Sequence, residues 1–501
     1  MAMAATSWQI GALPQGWRPA GPLPYVIFYL GLAAMTGAWL ELGRRVLRIT
    51  RADCAPDADR PPDAASHATV ALIEGSPATL RRYVLGCCVP FLFAAPFGRD
   101  LWAYAAQGNL VRHGIDPYAH GPAALPGAFT DEVSRRWLHT SAPYGPLWLQ
   151  ISHGIDTVAG QHVLAAAVLL RLPAFAGLLL WLWALPHLAR RFDGGTGRRA
   201  AAALWLGAAS PLTIVLGLGG GHNDLLMIGL IVAGLALATG RSFGSLALAG
   251  AVIAVGVMVK SPAAIAVAFA VPIWLTANRR APTLRHVLVA CSAALGGAAA
   301  IALVVTVASG LGTGWTHQVN TAAPWVSWLS LPSAAVMLGK LLTGNLRELK
   351  AVDGALQLAR TIGEALAVAV SAALWFLALR RASLACLAVA LGAVALLAPS
   401  VQPWYYCWAL ALAGLVVRSG RLLIALAAVS IAFPVMITPS GVGLESSLAA
   451  IPIIAGAAAL AWFSMRAPVS TPDDNGPDHT RTQVRADDRP QLGNVQFADP
   501  R

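Results

Sequence analysis

RDLWAYAAQGNLVRHGIDPYAHGP, residues 99–122, and TDEVSRRWLHTSAPYGP, residues 130–146, are joined by a short Ala/Pro-rich turn. Together they form a polar interlude that follows directly on an apolar run at 83–98. Residues 99–146 hold three Asp, one Glu, four Arg, three His and three Tyr, in a chain with only 12% charged residues. A membrane protein that gathers its ionisable groups in one water-exposed loop is expected to do its chemistry there.

The rest of the chain is apolar. Of its 501 residues 57% are hydrophobic, and the mean hydropathy is +0.63. A soluble domain carries about 25% charged residues. Several apolar runs reach the roughly 20 residues that cross a bilayer as a helix. The expected fold class is therefore all-α, a polytopic transmembrane helical bundle, because a barrel would show short alternating segments. The first twenty residues lack a charged start followed by an apolar core, so no cleavable signal peptide is expected. The net charge of +12 does not call for nucleic acid. The arginines cluster in short loops between spans, as the positive-inside rule requires. Cys54, Cys87, Cys88, Cys291, Cys386 and Cys407 show neither zinc spacing nor a disulfide framework, and most lie in apolar runs.

The arginines fix a topology. A first span fits 23–42, and the loop 43–82 holds Arg44, Arg45, Arg48, Arg51, Arg60, Arg81 and Arg82. That loop belongs in the cytoplasm, which puts the N-terminus outside and sends a span at 83–98 outward to the polar loop 99–161. Spans at 162–188, 200–218, 225–239, 244–259, 263–277 and 287–308 follow, with the outer turn Gly219–Asp224 and the Lys260-Ser261-Pro262 turn between them. A second outer segment covers 309–360, its apolar stretch 329–343 interfacial or re-entrant. Spans at 362–379, 383–399, 403–417, 422–437 and 446–464 bring the count to about thirteen. The transmembrane domain thus takes residues 1–465. The tail 466–501 is rich in Asp, Pro and Arg without apolar periodicity and reads as a disordered cytoplasmic segment.

Asp100 stands where the second span leaves the membrane. In a helix it shares a stripe with Tyr104, Gln107 and Val111, which predicts an interfacial amphipathic helix. A carboxylate there either caps the helix or, lifted by desolvation, serves as a general base. His113-Gly114-Ile115-Asp116-Pro117-Tyr118 reads as a helix end and an Asp-Pro turn. Pro143-Tyr144-Gly145-Pro146 reads as a rigid turn back into the membrane. His222-Asn223-Asp224 follows three glycines that permit a sharp bend or close backbone approach. Such a polar triplet between apolar spans needs water, a protein partner or a substrate. Lys260, a cation at an outer boundary, suits a phosphate or simply snorkels to lipid headgroups. Gln402-Pro403-Trp404-Tyr405-Tyr406 is an aromatic belt or the wall of a sugar or lipid site.

Taken in order, Asp100–Gly108, His113–Tyr118, Ala142–Pro146, Gly221–Asp224, Val259-Lys260 and Gln402–Tyr405 resemble the polyprenol-phosphate-mannose-dependent α-1,6-mannosyltransferases of actinobacteria. These belong to the membrane-embedded glycosyltransferase C superfamily, and the resemblance covers roughly residues 83–420. It implies a polyprenyl-phosphate-linked sugar donor, inverting transfer on the outer face to a glycan or glycolipid hydroxyl, and no cofactor. Asp100 matches the family's base, with Asp116 as the substitute if Asp100 only caps its helix. Developing charge on the leaving phosphate calls for cations, and His222, Lys260 and Arg99 are the candidates in falling order of preference. Tyr104, Gln107, His113, Tyr118, Tyr144, Asn223, Asp224, Gln402, Trp404 and Tyr405 complete the candidate substrate site. Asp57-Ala58-Asp59 has the acidic spacing with which some glycosyltransferases hold a metal, but no Gly-rich phosphate cradle is near, so no metal ligand is assigned. A bacterial inner-membrane location follows. The rival reading is a transporter or flippase, which would place its charges at the bilayer midplane.

Overall fold

The computed structural model describes residues 1–12, 21–52, 76–160, 162–193, 198–320, 326–345, 347, 349, 351–437, 439–441, 443–444 and 450–466. Among them helices form throughout and no β-sheet does. The first half contains α1 (Ala2–Ile10), α2 (Leu23–Ala52), α3 (Pro77–Leu92), α4 (Asp100–Arg112) and α5 (Pro146–Ala159). Then come α6 (Val163–Phe192), α7 (Arg198–Leu206), a π-helical stretch at Leu212–Gly219, α8 (Asp224–Leu237) and α9 (Phe243–Val257). The second half contains α10 (Ala264–Ala277), α11 (Leu284–Ser309), α12 (Leu331–Leu342), α13 (Gly354–Ala378), α14 (Ser383–Leu397), α15 (Cys407–Val416), α16 (Gly420–Met436) and α17 (Ala450–Arg466). Residues 467–501, the expected tail, and the 57–59 triplet lie outside the described residues.

The all-helical bundle agrees with the sequence, while the count of about thirteen spans is not confirmed. Among the described residues four helices are long and apolar enough to cross a bilayer: Leu23–Leu47, Val163–Phe192, Leu284–Ser309 and Gly354–Ala378. The pair Leu212–Gly219 and Asp224–Leu237, bent by 118°, makes a fifth if taken as one broken span. Seven further apolar helices have 10–17 residues. At 1.5 Å per residue such helices reach about 15–25 Å, short of a hydrocarbon core about 30 Å thick. The expected turns at Gly219–Asp224 and Lys260-Ser261-Pro262 are indeed where helices end and restart. The 12-residue helix at Leu331–Leu342 is about 18 Å long.

The break before α8 is held by a buried cation. Arg171 of α6 is wholly buried, and its Nε and Nη2 donate to the Gly219 carbonyl at 3.2 and 3.0 Å. A third N–H goes to Ala167 O at 3.2 Å. The carbonyls at the end of a helix lack partners of their own, and here a guanidinium supplies them. Gly221 then turns with φ +65°, a left-handed conformation open to glycine. This bend carries His222 and Asp224 into the protein interior.

Helix polarity separates two ends of the bundle. Helices α10 and α15 begin just after Lys260 and Tyr405. At their far ends Arg191 donates to Ala277 O (2.9 Å) and Arg199 to Leu415 O (2.6 Å). Arg44 likewise donates to Ser464 O at the end of α17. The near end also receives α1: Trp8 donates to Phe93 O (2.8 Å) and Ala12 to Pro96 O (2.8 Å), where α3 runs out toward Asp100. The segment after α11 starts beside the polar loop, with Gln150 of α5 donating to Ser309 O at 2.6 Å.

One glycine decides how the polar loop meets the bundle. A Cβ on Gly145 would collide with the backbone carbonyl of Met258, whereas one on Gly154, in the same α5 region, would meet nothing within 4 Å. Gly145→Ala is therefore expected to lower the Tm of the detergent-purified protein. Gly154→Ala, which only adds helix propensity worth about 0.5–1 kcal/mol, is expected to hold or raise it. Equal melting of the two variants would show that the loop does not dock here.

Candidate active site

Between α3 and α4 the helix-capping position is Arg99, which makes no side-chain capping bond. Asp100 is the first residue of α4, and its carboxylate is turned to a cavity instead of serving as a cap. Asp100, Ala103, Tyr104 and Gln107 line that cavity, at the i, i+3, i+4, i+7 spacing of one helix face. Val111, expected on the same stripe, packs instead beside Tyr118, Ala142 and Leu149. The one-sided, amphipathic exposure expected of this helix is not seen. Residues Leu101 to Leu110 are all buried, enclosed by α5, the short helix Ala128–Glu132 and the start of α6. Small side chains allow this, since Gly108 of α4 lies directly on the Ser152 backbone of α5.

The facing wall is built where α9 breaks. Gly145 N donates to Val259 O at 3.1 Å and Leu147 N to Met258 O at 3.0 Å, so the Pro143–Pro146 turn sits on the end of α9. Lys260 follows in extended conformation and lines the cavity. Its ammonium donates to both oxygens of Asp224 at 2.9 Å, and it stands 4.3 Å from the Tyr405 ring centroid. Trp408 Nε1 also donates to Asp224 Oδ1, at 2.7 Å, and its ring stacks on Tyr405 at 4.5 Å. His222 stacks on Trp404, with centroids 3.6 Å apart and planes at 14°. Its Nδ1 lies 3.8 Å from Asp100 Oδ2 and has no hydrogen-bond partner.

The cavity holds about 760 Å³ and is lined by two kinds of side chain. Asp100, Tyr104, Gln107, Tyr144, Lys260 and Gln402 give one part hydrogen-bonding groups. Ala264, Ile265, Ala268 and Phe269 of α10, with Ala367, Val368, Ala372 and Phe376 of α13, make the other part hydrocarbon-like. Trp375 of α13 donates to Ala268 O at 2.9 Å and ties these two walls together.

Asp100 is tuned by this setting. Burial lifts its carboxyl to about 6, against the pull of the Lys260 ammonium and a hydrogen bond from Trp137, while Asp224 adds to the rise. Its side chain is 24% exposed, and it lines the cavity. A carboxylate poised near neutrality, open to a cavity and beside a cation, can accept a proton while the cation meets an anion.

Several residues singled out in the sequence take other places. Arg99 spends its guanidinium on Glu132, donating to the carbonyl at 2.9 Å and Oε2 at 3.3 Å. His113 caps the end of α4, its Nδ1 2.9 Å from Asn109 O. Asp116 accepts from Tyr118 N at 2.8 Å in an Asx turn, which gives a local structural reason for it. Tyr118 donates to Tyr144 O at 3.1 Å and supports the wall from behind. His222 and Asp224 stand behind that wall, and Asn223 is buried with no partner for its amide. Trp137, Trp408 and Glu364 also line the cavity and were not singled out. The two tryptophans look like ordinary interface or core aromatics. Glu364 carried a usable signal, because a carboxylate inside an apolar span is itself suspect. Among the described residues no three His, Cys, Asp or Glu side chains could hold a metal ion.

Comparison with known proteins identifies the family. Residues 2–276 match the family model described as Alpha-(1->6)-mannopyranosyltransferase, N-terminal domain, and residues 332–467 match that of the MptB C-terminal domain. The chain is 33% identical over 463 residues to Alpha-(1->6)-mannopyranosyltransferase A of Mycobacterium tuberculosis, covering 91% of this chain and 82% of that one. It is 32% identical over 476 residues to the protein of the same name from Corynebacterium glutamicum, covering 91% of each. To Alpha-(1->6)-mannopyranosyltransferase B of that bacterium it is 28% identical over 469 residues, covering 88% of this chain and 76% of that one. No solved structure matches. The chain belongs to the alpha-(1->6)-mannopyranosyltransferase family.

Proposed function

We propose that the protein is a membrane-embedded mannosyltransferase that moves a mannosyl group from a polyprenyl phosphate to a hydroxyl of a cell-envelope glycan or glycolipid. The names of its relatives support the sugar and the linkage. The observation that carries the donor is the two-part cavity, in which Asp100 and Lys260 share space with an apolar gallery between α10 and α13. A nucleotide-linked donor has no use for such a gallery, whereas a lipid chain fills it. The arginines at the far end of the bundle support placing the cavity on the outer face of the inner membrane.

In the proposed step Asp100 takes the proton of the acceptor hydroxyl as its oxygen bonds to the anomeric carbon. The bond from that carbon to the phosphate oxygen breaks, and the charge left on the phosphate is met by Lys260. A single displacement inverts the anomeric centre. A retaining route needs a second carboxylate about 5–5.5 Å from the first. Asp224 is committed to Lys260 and Trp408. Glu364 has Arg360 as its charged neighbour, while Asp100 has Lys260 and Asp224.

Three outcomes follow. Asp100→Asn is expected to lower transfer from a polyprenyl-phosphate mannose in membranes about 10²–10⁴-fold, and transfer at the wild-type rate would remove Asp100 from the mechanism. Because the carboxyl lies at about 6 and must be ionised to act, kcat/KM is expected to climb as pH rises through 6. At pH 5 it should stand at about a tenth of its plateau, and a flat profile from pH 5 to 8 would contradict the assignment. Gln107 is buried with an unpartnered Oε1 and lines the cavity. Gln107→Met is expected to leave the Tm unchanged and raise the KM of one substrate about 2–10-fold, the effect of one hydrogen bond. A KM that stays put for donor and acceptor would show that the amide reads neither.

A further inference from the structure

Lys260 is held from several sides. Two of its three N–H bonds go to Asp224, one to each oxygen at 2.9 Å. The Tyr405 ring lies 4.3 Å away, and Asp100 is the other carboxylate acting on the ammonium. Both oxygens of Asp224 are spent within the protein: Oδ1 accepts from Lys260 and Trp408, and Oδ2 from Lys260. Asp224 is 1% exposed and stands behind the cavity wall, while Lys260 faces the cavity.

We propose that Asp224 is a positioning residue that touches no substrate and acts through Lys260, keeping that cation charged and apart from Asp100. This rests on the assignment of Lys260 to the phosphate side of the cavity. An ammonium removed from water tends to lose its proton unless an anion compensates it. A lysine head on a flexible four-carbon stem also follows the nearest anion. Without Asp224 that anion is Asp100. An ammonium paired with Asp100 would occupy the base and leave the phosphate without its partner. The bidentate grip, fixed in turn by the Trp408 indole, leaves one N–H of Lys260 on the side of Tyr405, which lines the cavity with it. The sequence triplet His222-Asn223-Asp224 thereby divides its work, with His222 beside Asp100 and Asp224 beneath Lys260.

A double-mutant cycle in membranes, with polyprenyl-phosphate mannose as donor, tests this. Asp224→Asn is expected to raise the donor KM about tenfold or more and to move the acid limb of the pH profile below 6. In a Lys260→Met background the same change is expected to do no further harm, because the double variant removes both members of a buried pair and leaves no unpaired charge. Wild-type donor KM and acid limb in Asp224→Asn, alongside an impaired Lys260→Met, would overturn the proposal and leave the role of Lys260 standing. Losses that multiply in the double variant would overturn it too, since Asp224 would then act independently. Wild-type kinetics in Lys260→Met would instead remove Lys260 itself, while Asp100→Asn still tests the base. If Asp224→Asn does not fold, Trp408→Phe keeps the charge and removes one bond to Oδ1. It is expected to raise donor KM only when Lys260 is present, and an unchanged KM would count against the proposal.

Discussion

Two backbone hydrogen bonds, from Gly145 to Val259 O and from Leu147 to Met258 O, join the polar loop to the break after α9. The rest of the site depends on that junction. On one side of it lies α4 with Asp100, fixed by close packing on α5. On the other lies Lys260, released from helical geometry at the point where α9 ends. The contact needs a residue without a side chain at 145, because the Met258 carbonyl occupies the place of a Cβ. Residues more than a hundred positions apart are thereby set around one cavity.

Charge inside a low-dielectric region is costly unless it is paired. The protein meets this constraint differently for its two nearby aspartates. Asp224 is fully paired, with two bonds from Lys260 and one from Trp408. Asp100 is left open to the cavity, with a carboxyl lifted by burial toward the range where a base is useful. The fully paired group is suited to holding and the open one to reacting. Arg171 shows the same economy in the scaffold, its guanidinium answering the Gly219 carbonyl at the bend before His222 and the Ala167 carbonyl of its own helix.

Much of this was legible in the sequence, for physical reasons that also mark where legibility stops. Composition and run length require a helical membrane protein, and polar groups placed at span ends stand out against an apolar background. Asp100, Tyr104, Gln107, Tyr144, Lys260, Gln402, Trp404 and Tyr405 were singled out that way, and all line one cavity. Partners were not legible. Arg99 is a cation in the expected place, but it turns to Glu132, 33 positions away, and His222 lies behind the wall. Trp137 and Trp408 matter through single indole N–H bonds that an aromatic in an apolar setting does not announce. The span count rested on apolar runs between the expected turns, and several of the helices they form, of 10–17 residues, fall short of a hydrocarbon core about 30 Å thick.

The central claim is that Asp100 and Lys260 face the reacting and leaving atoms of one lipid-linked donor. The most direct measurement is a cryo-EM structure of the membrane-embedded protein with a non-cleavable phosphonate analogue of polyprenyl-phosphate mannose. The account predicts the phosphonate within hydrogen-bonding reach of Lys260 Nζ and the prenyl chain between α10 and α13. It also predicts the face of the anomeric carbon opposite the phosphonate turned to Asp100, with room for one acceptor oxygen about 3–3.5 Å away. An analogue bound elsewhere, or bound here with Asp100 on the same side as the phosphonate, would contradict it.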